Sequence, residues 1–129
     1  MQTTAKDAVG KRILIIEDDP DILEILGIIF QEEGYEVILS ETGDETAIIH
    51  LIIPDIVLLD VRLERSAKNG DVLCAELKSQ LATHQLPILL LSAERDIKQI
   101  CLECGANGYI AKPFDINVLV LKVRQYTSQ

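Results

Sequence analysis

Five short apolar runs mark the chain, at Arg12 to Ile16, Tyr35 to Leu39, Ile56 to Leu59, Ile88 to Leu91 and Tyr109 to Ala111. Each is rich in Ile, Val or Leu and has no regular polar alternation, so each reads as a buried strand. Between them the apolar residues fall three and four apart: Ile22, Leu26 and Ile29, then Ile48, Leu51 and Ile52, then Leu73 and Leu77, then Ile97, Ile100 and Cys104. Ile116, Leu119, Val120 and Val123 repeat the spacing at the end. That spacing lines up one face of a helix. Asp19 before Pro20 reads as a helix cap followed by proline at the first helical position, and Gly34 and Gly105 stand where helices should stop.

The order is β-α, five times over. Apolar strands alternating with amphipathic helices predict an α/β fold, a three-layer, doubly wound, five-stranded parallel sheet with right-handed crossovers. Ligands of such open sheets bind beyond the carboxyl ends of the strands. Here those ends carry Glu17-Asp18-Asp19 after the first strand, Asp60 after the third, Ser92 after the fourth and Lys112 after the fifth.

With 129 residues, 48% hydrophobic and 26% charged, the chain is sized and composed as one globular domain. The opening "MQTTAKDAVG" is polar and small, so residues 1–10 are expected to be a flexible lead and 11–129 the domain. A net charge of -9 without a Lys/Arg run speaks against a direct grip on nucleic acid or on an anionic membrane. No stretch has the length of a membrane span, and three cysteines fit a reducing, cytoplasmic setting. "CLEC" closes a helix instead of opening one and has no second ligand pair, so Cys74, Cys101 and Cys104 read as small buried helix residues.

Any one strand-end carboxylate could be a helix cap, and Asp19 reads as one. Glu17, Asp18 and Asp60 brought together are different, because like charges at close range repel unless a cation sits among them. Oxygen-only ligation suits Mg²⁺. An aspartate beside such an ion can attack a phosphoryl group and form an acyl phosphate. Lys112 would supply fixed positive charge there, and the Ser92 hydroxyl a hydrogen bond to a phosphoryl oxygen.

The segments "ILIIEDDP", "PDIVLLDVRL", "PILLLSA" and "GANGYIAKPF" resemble, in order and over essentially the whole chain, the receiver domain of two-component response regulators, in its stand-alone, chemotaxis-regulator-like form. The resemblance implies the flavodoxin-like strand order 2-1-3-4-5. It also implies that Asp60 is phosphorylated by a sensor histidine kinase or histidine phosphotransfer protein, and that a downstream protein target reads the result. Glu17 and Asp18 match the acidic pair for Mg²⁺, with Asp60 and the backbone carbonyl of Arg62 completing the protein ligands. Ser92 matches the hydroxyl that follows the phosphoryl group, Tyr109 the aromatic that changes rotamer with it, and Lys112 the family's lysine, whose bond to Pro113 is usually cis.

Three departures stand out. "VRLERSAKNG" is about two residues longer than usual, with Glu64 in place of the family's proline and the glycine late at Gly70, so it reads as a docking loop or a tolerated surface insertion. The stretch from Ser92 to Lys112 is short, which predicts a late or trimmed fourth helix. Arg62 and Glu94 flank the path of an attacking water and are expected to pair and slow hydrolysis of the phosphoryl group.

Val118 and Leu121 fall off the core face of the last helix and suggest a homodimer or partner surface. His50 and His84 stand away from every strand end and read as surface or helix-end residues. The chain stops at Gln129, directly after the fifth helix, which reads as a free-standing receiver or a piece of a longer regulator or hybrid kinase. Two alternatives remain: a phosphorylation-independent pseudo-receiver, and an aspartyl-phosphate hydrolase, the latter disfavoured because Arg62 occupies the place of its second aspartate.

Overall fold

The computed structural model describes residues 10–43 and 46–128. The expected flexible lead therefore lies outside the described residues, apart from Gly10. The elements in order are β1 (Arg12–Ile16), α1 (Pro20–Glu32), β2 (Glu36–Ser40), α2 (Thr46–Ile52), β3 (Ile56–Asp60), α3 (Gly70–Ser79), β4 (Ile88–Ser92), α4 (Ile97–Cys104), β5 (Gly108–Ala111) and α5 (Ile116–Thr127). All strand pairs are parallel, and the sheet order is β2-β1-β3-β4-β5. The predicted three-layer architecture and strand order both hold.

Strand side chains alternate between two half-cores. Ile13, Ile15, Ile56, Leu58, Leu89 and Leu91 meet Leu23, Leu26 and Phe30 of α1 and Leu119, Val120 and Val123 of α5. On the other face Leu14, Ile16, Val57, Leu59, Ile88 and Leu90 meet Ile49 of α2, Leu73, Cys74 and Leu77 of α3, and Ile97, Cys101 and Cys104 of α4. Ile56, Val57, Leu58 and Leu59 of the central β3 are all 0% exposed, and each such side chain contributes roughly 1.5–3 kcal/mol of burial. This is why β3 has no polar residue before Asp60.

Helix ends follow local chemistry. Asp19 caps α1 by accepting the N–H groups of Asp21 and Ile22 at 2.9 and 3.2 Å. Gly105 closes α4 in the left-handed region at φ 80°, where a side chain would be strained. Ile53, just after α2, also has a positive φ, 44°, although it is β-branched. The α1–β2 turn is fastened to the end of α5. The Tyr35 and Thr127 hydroxyls lie 2.7 Å apart, and Arg124 donates to Glu33 at 2.9 Å.

Several expectations need correction. β2 is not fully buried: it is an edge strand, starts one residue later than expected, and leaves Leu39 half exposed over Gly27. On α2 it is Ile49 that packs inward, while Leu51 is 82% exposed, because the helix is short and its apolar residues offer two overlapping stripes. Ile22 and Ile29 flank the α1 core stripe without being fully buried. Ile116, the first residue of α5, is 52% exposed.

The fourth helix, α4, has eight residues. All three cysteines are buried and unbridged, and His50 and His84 are exposed. No helix among the described residues is long and apolar enough to cross a membrane.

Candidate functional site

Parallel strands bring all their carboxyl ends to one edge of the sheet. Asp60 is the last residue of β3, opposite Leu91 of β4, and Ser92 is the last of β4, opposite Ala111 of β5. The Lys112 N–H donates to the Ser92 carbonyl at 2.8 Å, which extends the ladder one step and carries Lys112 over the edge. The Lys112–Pro113 peptide bond is cis.

At that edge Glu17 and Asp60 are 1% and 4% exposed. Lys112 Nζ donates to Glu17 Oε1 at 2.9 Å and lies 3.3 Å from Asp60 Oδ1. The second oxygen of Glu17 accepts the Asp19 N–H at 3.1 Å. Asp18 is half-buried, and its Oδ2 accepts the Glu64 N–H at 2.9 Å. One carboxylate oxygen from each of Glu17, Asp18 and Asp60 falls within 4.8 Å of the others.

One lysine beside three carboxylates leaves an excess of negative charge. Burial, then the hydrogen bond and charge of Glu17, raise the Asp60 pKa from 3.8 to about 7, against the opposing pull of Lys112. Burial penalises the Lys112 ammonium, but its bond to Glu17 and the charge of Asp60 outweigh that and hold its pKa above the usual lysine value. The donor set is hard, anionic and all oxygen. It fits a small divalent cation such as Mg²⁺ and would be relieved by one.

Ser92 is buried, and its Oγ accepts the Glu94 N–H at 2.8 Å, which leaves the hydroxyl proton available to donate elsewhere. The expected pair across the edge is present: Arg62 Nε and Nη2 reach the two oxygens of Glu94 at 2.9 and 3.3 Å. Tyr109 is half-buried on β5 and packs against the second half-core.

The long β3–α3 segment is neither a loose insertion nor wholly a surface feature. Val61 and Leu63 are buried, and the Leu63 N–H donates to Asn69 Oδ1 at 3.1 Å. Gly70 seats α3 directly against β3. Its N–H donates to Val61 at 2.7 Å, and a Cβ there would overlap the carbonyl oxygen of Asp60. Arg65, which the sequence did not single out, donates to the Asp18 carbonyl and to Glu41, both at 2.7 Å. Its signal was the unusual charge of "LERSAK", and nothing in that run says what the charge meets.

A family model for the response regulator receiver domain matches residues 13–124. The DNA-binding response regulator MtrA of Mycolicibacterium smegmatis is 35% identical over 121 residues, covering 92% of this chain and 51% of that protein. The chain thus spans about half the length of the curated relatives it matches. Among solved structures, a putative response regulator from Chloroflexus aurantiacus superposes with TM-score 0.82 at 35% identity, covering 92% of this chain and 98% of that one. The signal receiver domain of a signal transduction histidine kinase from Syntrophus aciditrophicus gives TM-score 0.83 at 33% identity, covering 92% and 91%. With the matched model, the strand order and the strand-end residues all in agreement, this chain belongs to the response regulator receiver domain family of two-component systems.

Proposed function

We propose that the chain is a phosphoacceptor, in which Asp60 takes a phosphoryl group from a histidine of a sensor kinase or phosphotransfer protein. The observation that carries this reading is a buried carboxylate, Asp60, set between a lysine 3.3 Å away and two further carboxylates at the open edge of the sheet. In the transfer a carboxylate oxygen of Asp60 bonds to phosphorus as the phosphorus–nitrogen bond of the donor breaks, and the histidine nitrogen keeps the bonding pair. Glu17, Asp18, Asp60 and the backbone carbonyl of Arg62 are the proposed ligands of Mg²⁺, which when bound favours ionised Asp60 and offsets charge on the phosphoryl oxygens. Lys112 supplies fixed positive charge next to Asp60, and the Ser92 hydroxyl donates to a phosphoryl oxygen.

The same reading makes Ser92 and Tyr109 the switch: as Ser92 moves toward the phosphoryl group, Tyr109 changes rotamer and α4 with its flanking loops shifts. A downstream protein then reads that face. Hydrolysis of the acyl phosphate resets Asp60, so the only chemistry is on the protein itself. The setting is cytoplasmic, where such kinases present their phosphohistidine. The relatives named as DNA-binding are about twice as long as this chain, and the acidic balance here speaks against these residues holding nucleic-acid phosphates.

The test is intact mass after incubation with a small phosphoryl donor, with and without Mg²⁺, beside Asp60→Asn. One added phosphoryl group, present only with Mg²⁺ and absent from the variant, supports the proposal. No addition with any donor, including a phosphorylated kinase domain, refutes it in favour of a pseudo-receiver.

A further inference from the structure

Three consecutive residues of the β3–α3 loop reach back over the acidic edge. The Glu64 N–H holds Asp18 Oδ2 at 2.9 Å. Arg65 Nη2 donates to the Asp18 carbonyl and to Glu41 Oε1, both at 2.7 Å. Ser66 Oγ accepts the Gly43 N–H at 2.7 Å. The loop that makes these contacts is itself fixed, by buried Leu63 behind it and by Gly70 against β3 ahead of it. Arg65 therefore links the loops after β1, β2 and β3 at one point.

We propose that Arg65 is a positioning residue for the cation site, holding the Asp18 backbone so that the carboxylate presents its remaining oxygen to the ion. This rests on the function proposed above. Its reason is geometric. Asp18 is the only half-buried member of the acidic trio, beside buried Glu17 and Asp60, so packing constrains it least. Its side chain is fixed through one oxygen and its main chain through Arg65, which together leave little freedom to rotate. Mg²⁺ tolerates little departure from octahedral geometry, so small rotations of a ligand carboxylate weaken it. Fold stability is a poor alternative explanation, because both Arg65 and Glu41 are about half exposed and such ion pairs stabilise little.

The experiment is calorimetric titration of Mg²⁺ into the full chain and into Arg65→Lys and Arg65→Met, with thermal unfolding of each in EDTA. Lysine can still donate to both oxygens, whereas methionine keeps the stem and loses every donor. Positioning predicts a dissociation constant raised about tenfold in Arg65→Met and restored to within about threefold in Arg65→Lys, with unfolding midpoints in EDTA unchanged. An unchanged constant overturns the proposal, and so does tighter binding, which is what removal of a neighbouring positive charge alone would give. If Arg65→Met does not fold, Arg65→Ala, which also lacks every donor, carries the same comparison. A wild-type chain that binds no Mg²⁺ refutes the proposed function instead, so the two failures are told apart.

Discussion

Asp60→Asn tests the electrostatics of the site without any partner. Burial and the neighbouring Glu17 raise the folded-state pKa of Asp60 from 3.8 to about 7. Because the folded pKa lies above the unfolded one, the folded state binds more protons between those values, and stability falls as pH rises through that window. Integrating one such group, relative to acid conditions where both states are protonated, the raised pKa of Asp60 lowers the stability of the cation-free fold by about 2 kcal/mol at about pH 5, where only the unfolded carboxyl ionises, and by about 4 kcal/mol at about pH 8, where the folded one is ionised too.

Asparagine has nearly the same volume and no charge, so the variant should be more stable than wild type by amounts that follow the same curve. At roughly 2.1 cal/mol/K per residue of unfolding entropy, a domain of this size shifts by about 4 °C per kcal/mol, which puts the variant about 15 °C higher at about pH 8. The assay is urea and thermal unfolding in EDTA at both pH values, repeated with Mg²⁺, which should narrow the gap by stabilising wild type through binding. A gap that does not change with pH, or a variant less stable than wild type at the higher pH, refutes the charge argument.

Replacing Arg62 and Glu94 together with alanine should shorten the lifetime of phosphorylated Asp60, measured by mass after removal of the donor; an unchanged lifetime ends the idea that this pair screens the phosphoryl group from water. Gly70→Ala should lower stability by about 1–3 kcal/mol and slow phosphorylation, because its Cβ displaces the Asp60 backbone; wild-type denaturation and labelling would show that α3 yields instead. Ile53→Gly should raise stability by about 0.5–1 kcal/mol in urea titration by relieving the left-handed backbone, and a lower midpoint would place the strain elsewhere. Burial raises the thiol pKa of Cys74 and of Cys101, so an alkylating reagent should leave the native cysteines intact and modify them on unfolding; rapid native labelling would contradict their packing.

The strands were legible because a parallel sheet covered on both faces admits almost no polar residue except at its ends. That same rule exposed Glu17, Asp18, Asp60, Ser92 and Lys112, since charge at the end of an apolar run has to meet something. Helix faces were less legible. "AIIHLI" offers two overlapping stripes, and only the neighbouring strands decide that Ile49 is buried and Leu51 is not. Ile116 has the right spacing, but periodicity gives a face and says nothing about how far along the helix the sheet extends. Arg65 was beyond reach altogether: its partners are a carbonyl 47 residues earlier and a carboxylate 24 earlier, and a loop has no period to reveal them.

The fastening of α5 over the first half-core has a consequence for the order of synthesis. Ile13, Leu58 and Leu89 of the sheet and Leu26 and Phe30 of α1 share one half-core with Leu119, Val120 and Val123, and Tyr35 waits for Thr127. A ribosome adding about 5–20 residues per second makes β1, α1, β2 and β3 well before that last helix emerges. During that interval the nascent sheet carries an open apolar strip, a natural holding site for a chaperone. A product terminated before Leu119 would keep the strip and should aggregate.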